Sequence, residues 1–337
     1  MGNPEVSVVI RCFNEERHIG KLLAGIRQQT VKDAEIIVVD SGSTDSTCDI
    51  VECFSASLIH IEPSEFSFGR ALNMGCAAAT APIIAIASGH VYPVYHTWLE
   101  HILKAFADPE VALVYGKQRG DDRTKFSEHQ VFAKWFPDTP HPRQTTPFCN
   151  NANAAVRRSV WEQLPYDEEL TGLEDLDWAK RAQEAGFAIS YVPTAEIVHV
   201  HEETASQVFN RYRREAIALK KINHAAHFNL FDFLRLTPSN ILSDYYHALQ
   251  AGKFIQNVRS IPVFRLMQFW GTYRGYATKD AVPLALKRKF YYPRGFGFAT
   301  PDAQAQPNGD KKIVYEEIHS PESLPRSGGA SAVPSDS

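Results

Sequence analysis

The sequence predicts a doubly wound, mostly parallel α/β sheet followed by a helical C-terminal extension. Three observations carry this reading: short apolar runs rich in β-branched residues recur along the first half, amphipathic stretches alternate with them, and polar clusters stand at their carboxyl ends.

The runs VSVVIR at 6–11 and EIIVV at 35–39 read as buried strands. Between them, residues 15–29 place Ile19, Leu22, Leu23 and Ile26 three and four apart, an amphipathic helix joining two parallel strands. After Asp40, SGSTDST supplies a turn and a cap for a helix over 45–54. A third strand is expected at 57–61, a helix at 73–79, a strand at 83–87, a helix at 98–107 and a strand at 111–116. Residues 119–148 carry many charges, four prolines and little periodicity, so they read as a long loop with a helical piece at 128–135; loops of that length are often functional. Residues 152–157 read as strand, 158–163 as helix and 176–185 as a helix stopped by Gly186, with two further strands at 189–192 and 197–200. From 207 to 276 the chain turns helical and basic. The expected division is an α/β domain over 1–205, the extension over 206–298, and a tail at 299–337 whose Pro, Gly, Ser and charge predict disorder.

A chain of 337 residues suits one large domain with a smaller appended unit, and its 44% hydrophobic and 22% charged content is that of a globular protein. A net charge of −4 gives no global attraction to nucleic acid. Five cysteines, an odd number without a CxxC pair, fit reduced thiols and a cytoplasmic setting better than disulfides or a sulfur-ligated metal. The start enters a strand-like run directly, with no secretory pattern, and Val6 stands where a myristoylation signal needs Ser or Thr. No apolar run reaches the roughly 18 to 20 residues of a spanning helix, so membrane contact is expected to be peripheral, at the inner face and through the basic C-terminal helices.

Ligands of open α/β sheets bind outside the carboxyl ends of the strands. Three clusters fall there: Asn14-Glu15, Asp40-Ser41-Gly42-Ser43 and Ser88-Gly89-His90. No GxGxxG follows the first strand and no GxxxxGK[ST] occurs, which removes the main support for dinucleotide or P-loop binding. A nucleotidyltransferase would want a basic glycine-rich loop after the first strand, and RCFNEER at 11–17 does not supply one.

Taken in order, VSVVIRCFNEERHIGKLL, EIIVVDSGSTDSTCDIV and GLEDLDWAKRAQEAGF resemble the family 2 glycosyltransferases with the GT-A fold, over about residues 5–205. Within that family the sequence is most similar to rhamnosyltransferase-like bacterial members that build surface polysaccharides. The resemblance implies an enzyme that moves a sugar from a nucleotide-sugar donor to a hydroxyl of a saccharide or lipid-linked saccharide, with inversion. It implies nucleotide contacts at Asn14 and Glu15, and a bond from Asp40 to the base or ribose. In the acidic motif before a helix, Asp175 is the general base and Glu174 orients the acceptor or its neighbours. Lys117, Gln118 and Arg119 are expected to line the donor-sugar pocket, and Phe148-Cys149-Asn150-Asn151 resembles the family's wall between the two halves of the site; Arg211, Arg213 and Arg214 either contact the diphosphate or form a solvated basic helix face, the commoner case.

One departure matters. The family's Asp-X-Asp motif, which holds Mg²⁺ or Mn²⁺ against the donor diphosphate, is replaced by Ser88-Gly89-His90, so the usual metal site is in doubt. His90 is expected to serve instead as a ligand for Mn²⁺ or, protonated, as a cation facing phosphate, with a structural histidine at a strand end as the alternative. His199 and His201 in IVHVH are candidates for a metal- or phosphate-contacting histidine. They are expected to face opposite ways unless the strand ends between them, so one at most serves the site. The missing carboxylates also leave open a retired domain that binds nucleotide-sugar or acts as a scaffold, against which Asp40 and the Glu174-Asp175 pair speak.

Overall fold

The computed structural model describes residues 4–278 and 310–315. The chain opens with β1 (Val6–Cys12), α1 (Ile19–Arg27), β2 (Ala34–Asp40), α2 (Thr47–Cys53) and β3 (Ser57–His60). There follow α3 (Phe68–Ala78), β4 (Ile83–Ser88), a short β5 (Val91–Pro93), α4 (Trp98–Ala105), β6 (Val111–Arg119) and α5 (Phe126–Trp135). Then come β7 (Asn153–Arg157), α6 (Arg158–Trp161), α7 (Glu174–Glu184) and β8 (Ala188–His199), and the helices α8 (Ala205–Ile222), α9 (Leu230–Gln250), α10 (Phe254–Asn257) and α11 (Ser260–Tyr276).

The strands form one sheet in the order β3-β2-β1-β4-β7-β6-β8-β5. β3, β2, β1 and β4 run parallel, β7 runs antiparallel to both β4 and β6, β8 is parallel to β6, and β5 is antiparallel to β8. Helices cover both faces, which is why the central strands are apolar throughout instead of alternating with polar residues. Val6, Val8, Ile10, Ile36 and Val38 pack with Leu22 and Leu23 of α1, Ile50 of α2 and Trp98 of α4. Their strand neighbours Val9, Ile37 and Val39 pack on the opposite face with Leu72 of α3, Phe132 of α5 and Trp178 of α7. The period of two along each strand thus feeds two cores.

The structure corrects several boundaries. The first helix begins at Ile19, not near Glu15, so Asn14 and Glu15 stay in the crevice loop. The two strands expected at 189–192 and 197–200 are one strand, β8, whose pairing with β6 shifts register between Gly116 and Gln118. α7 begins at Glu174, two residues earlier than its periodicity suggests, which puts the acid pair in its first turn.

A buried ion pair joins two helices of the extension, and its arginine also reaches the α/β part. Arg265 of α11 donates to both oxygens of Asp244 on α9, at 2.7 and 2.8 Å, and also to the Ser127 carbonyl of α5. Within the tail expected to be disordered, 310–315 is held in place: Ile313 N–H donates to Val94, Lys312 bridges Tyr95, and Asp310 accepts from His101. The rest of that tail, and 279–298 of the extension, lie outside the described residues. Among the described residues no helix is long and apolar enough to cross a membrane.

Candidate active site

The loops after β1 and β2 are fastened to each other. Asn14, left-handed at φ 55°, donates its N–H to Ser43 Oγ at 2.8 Å and accepts from Thr44 N–H through Oδ1 at 2.8 Å. Asparagine tolerates that conformation because its short amide bonds locally. Asp40, 1% exposed, accepts from the N–H groups of Gly42 and Ser43 and from the Ser43 hydroxyl. Its carboxylate therefore shapes the turn, and His60 of β3 stands 3.5 Å from it.

The end of β4 lies against this edge. Gly89 N–H donates to the Arg11 carbonyl at 2.9 Å, and a Cβ at Gly89 would stand 2.8 Å from Glu15 Cγ, so only glycine lets the β4 end approach the β1 loop this closely. Ser88 pairs in register with Arg11 at the strand end. Glu15 Oε1 takes His90 Nδ1 at 2.6 Å. Burial opposes the charged imidazole of His90, but the Glu15 carboxylate outweighs it and raises its pKa.

His199 and His201 both lie beside His90, against the expectation that they face opposite ways. Residues two apart on a strand share a face, and β8 ends at His199, so the chain turns His201 back onto the same space. His90 stacks on His199 with ring centroids 5.1 Å apart. The Nε2 atoms of His199 and His201 stand 2.9 Å apart, and one ligand atom from each of the three rings lies within 4.8 Å of the others. Burial first, then His201, His90 and Arg211, push the His199 pKa well below its ordinary value.

The acid pair occupies the first turn of α7, where the helix dipole favours negative charge. Arg11 pairs with Glu174 at 3.2 Å. Asp175 accepts from Asn151 N–H at 3.1 Å and from Leu176 N–H at 2.8 Å. Burial and the neighbouring Glu174 charge raise its pKa to about 7. The amide of Asn151, 2% exposed, has no hydrogen-bond partner among the described residues, so an unused donor and acceptor sit beside Asp175. One turn links the acids to the histidines: Asn151 holds Asp175, while Asn150 takes a bond from Gln118, which in turn holds His199. The expected pocket wall at 148–151 thus lies between them.

Other expected residues point elsewhere. Lys117 and Arg119 lie inside β6, not beyond it, and both pair with Glu196. The strand period sends them to one side and Gln118 to the other, so of the three only Gln118 reaches the histidines. Arg211 is locked between Glu128 and Glu203, at 2.5 and 2.6 Å, a buried network in place of a cation facing a ligand. The arginine beside the acids is Arg11, whose guanidinium also lies 4.9 Å from the Phe68 ring, with Arg214 4.7 Å from the same ring. Glu128, 1% exposed, holds His201 Nδ1 at 2.6 Å. Its place inside the charged 119–148 stretch gave no periodic signal that could single it out.

Three imidazoles fit an ion that accepts nitrogen ligands, such as Mn²⁺ or Zn²⁺, better than Mg²⁺, which prefers oxygen.

Residues 7–164 match the family model for glycosyl transferase family 2. The chain is 33% identical over 198 residues to the O-antigen chain rhamnosyltransferase WbaN of Salmonella anatum, covering 55% of this chain and 62% of that protein. It is 28% identical over 220 residues to the O-antigen chain rhamnosyltransferase RfbN of Salmonella typhimurium, covering 62% of this chain and 70% of that protein. The chain thus spans less than two thirds of the length of the first relative. Among solved structures, the mannosyltransferase PcManGT of Pyrobaculum calidifontis, in complex with GDP-Man and Mn²⁺, matches with a TM-score of 0.55 at 19% identity, covering 88% of this chain and 89% of that one. The likeness in fold, the matched residues and the bacterial relatives agree: the chain has a GT-A fold with appended C-terminal helices, and its residues 7–164 are similar to the family 2 glycosyltransferases.

Proposed function

We propose that this protein transfers a sugar from a nucleotide-sugar donor to a hydroxyl of a saccharide or lipid-linked saccharide acceptor, with inversion, in the synthesis of bacterial surface polysaccharide or glycoconjugate. The observation that carries the reading is Asp175: a buried carboxylate in the first turn of α7, raised to about 7, beside an unpartnered amide. A base with that pKa holds a proton weakly enough to release it and strongly enough to take one from a hydroxyl near neutral pH. The Asn151 amide is placed to bind the acceptor hydroxyl or its neighbour. Glu174, tied to Arg11, keeps a second negative charge close by, and that charge maintains the basicity of Asp175.

The donor fits the crevice at the ends of β1, β2 and β4. Asp40 retains lone pairs for a ribose hydroxyl or a base N–H beyond those spent on its turn. A divalent ion at His90, His199 and His201 would supply the positive charge that a departing diphosphate needs. The relatives' printed activities favour a rhamnosyl or mannosyl donor. Leu230, Phe231, Leu234 and Leu242 of α9 and Ile255 of α10 are exposed, and this apolar surface, more than basic charge, supports peripheral contact with the membrane that carries a lipid-linked acceptor.

The test is a thermal-shift screen of UDP-, GDP-, dTDP- and CMP-sugars, followed by a transfer assay with the donor that binds. Asp175→Asn is expected to bind that donor as the wild type does and to lose about 10²-fold or more in turnover. Undiminished transfer by that variant removes Asp175 from the role.

A further inference from the structure

We infer that His90, His199 and His201 form a three-imidazole cation site that selects late first-row divalent ions, of the Mn²⁺, Co²⁺ and Zn²⁺ class, over Mg²⁺. The inference deepens the glycosyltransferase reading only where it concerns the diphosphate; cation binding itself stands apart from transfer.

The hydrogen bonds around the rings fix where the lone pairs point. Asn150 Oδ1 accepts from the Ala152 backbone N–H at 2.9 Å, so that atom is an oxygen. The Gln118 atom facing it, at 3.1 Å, must therefore be the amide nitrogen. Gln118 then turns its oxygen to His199 Nδ1, at 2.8 Å, and His199 carries its proton on Nδ1. Its Nε2 is a bare lone pair. Glu128 accepts from His201 Nδ1 and Glu15 from His90 Nδ1, each at 2.6 Å, which leaves Nε2 of both rings as the free nitrogen. Each ring is thus held from behind by an acceptor, the arrangement that orients histidine ligands and fixes their tautomer.

Two Nε2 lone pairs facing each other at 2.9 Å repel unless something positive lies between or beside them. Nitrogens about 2.0–2.1 Å from one ion and at right angles to each other are roughly 2.9 Å apart. A proton shared between the two Nε2 atoms is the competing occupant, and a cation titration separates the two.

Two other groups of possible ligands serve as contrasts. Glu128, His201 and Glu203 converge, but Arg211 already pairs with both carboxylates. Asp40, Cys48 and His60 converge, but the Asp40 oxygens serve the turn, and burial with the Asp40 charge raises the Cys48 thiol to about 11. Of these three groups among the described residues, the histidine group is the one whose inward nitrogens meet neither an ion-paired arginine nor a turn amide. Nitrogen donors rank divalent ions in the Irving–Williams order and attract Mg²⁺ weakly, whereas a pair of carboxylates would accept it.

The experiment titrates the full-length protein with MnCl₂, without donor, and follows free Mn²⁺ by its electron paramagnetic resonance signal, with ZnCl₂ and MgCl₂ as competitors. One saturable site is expected, displaced by Zn²⁺ and not by millimolar Mg²⁺. His90→Gln, His199→Gln and His201→Gln are each expected to weaken Mn²⁺ binding at least tenfold, while His60→Gln leaves it unchanged. Thermal melts accompany each variant, and if His199→Gln unfolds, His90 and His201, both less buried than His199, carry the test. Absence of saturable binding by folded wild type, equal competition by Mg²⁺, or binding that survives His90→Gln and His201→Gln together overturns the site. Mn²⁺ binding without sugar transfer would keep the site and count against the enzyme reading; transfer without Mn²⁺ binding would do the reverse.

Discussion

Two clusters of similar residues at the same sheet edge use their polar atoms in opposite ways. Around β2, Asp40, Cys48 and His60 lie within reach of one another, yet the carboxylate accepts from Gly42 and Ser43 and His60 is mostly solvent-exposed. At the ends of β4 and β8, His90, His199 and His201 each spend one nitrogen on Glu15, Gln118 or Glu128 and direct the other inward. The first cluster is satisfied by its own turn. The second is complete only with a further positive partner, because a buried lone pair without a donor costs about as much as a lost hydrogen bond. Nearness of ligand-type residues therefore says less than what their remaining lone pairs face.

Changes at each cluster sharpen that contrast. Glu15→Ala removes the acceptor behind His90 and is expected to weaken Mn²⁺ affinity by about 10- to 100-fold, the scale for loss of a group that orients a ligand, with Glu15→Gln restoring most of it. Unchanged Mn²⁺ binding in Glu15→Ala would show that His90 needs no support from behind. Asp40→Ala is expected to lower donor affinity about tenfold and to cost about 1–3 kcal/mol of stability, since the Gly42 and Ser43 donors lose their acceptor. Calorimetry with unchanged donor affinity and a lowered Tm would make that cluster scaffold alone.

The smallest effect concerns Asp175, which accepts from two backbone N–H groups yet is held buried beside Glu174. Its folded pKa of about 7 lies above the ordinary carboxylate value, so the folded state holds the proton more tightly than the unfolded chain. The carboxyl adds no penalty below the unfolded value near 4, and an increasing one as pH climbs toward 7, beyond which the penalty is complete. Asp175→Asn is therefore expected to raise Tm by a few degrees at pH 8 and by little at pH 4. Wild-type transfer should rise with pH through about 7 as the base loses its proton. A Tm gain equal at both pH values would mean that the charge of Asp175 is not what strains the site.

The apolar runs at 6–11, 35–39 and 83–87 were legible because a strand buried on both faces must be apolar throughout. The Glu174-Asp175 pair was legible through the family resemblance, as an acidic motif before a helix, and not through periodicity. The start of α7 was misplaced because acids at 174 and 175 break the apolar periodicity that marks a helix. The roles of Lys117 and Arg119 were misread because their strand continues to Arg119, and a strand's extent decides which neighbours share a face.

Composition, periodicity and motif order by themselves determined the α/β architecture and the crevice edge, since each depends on residues close in the chain, and the family resemblance pointed to the acid pair. Only the tertiary structure decided the histidine cluster. His90 ends β4, whereas His199 and His201 end β8, and their tautomers depend on Glu15, Gln118 and Glu128 from three further segments. The reason is physical: a lone pair's direction is set by the hydrogen bond on the far side of its ring, and that bond exists only when strands distant in sequence are brought into register.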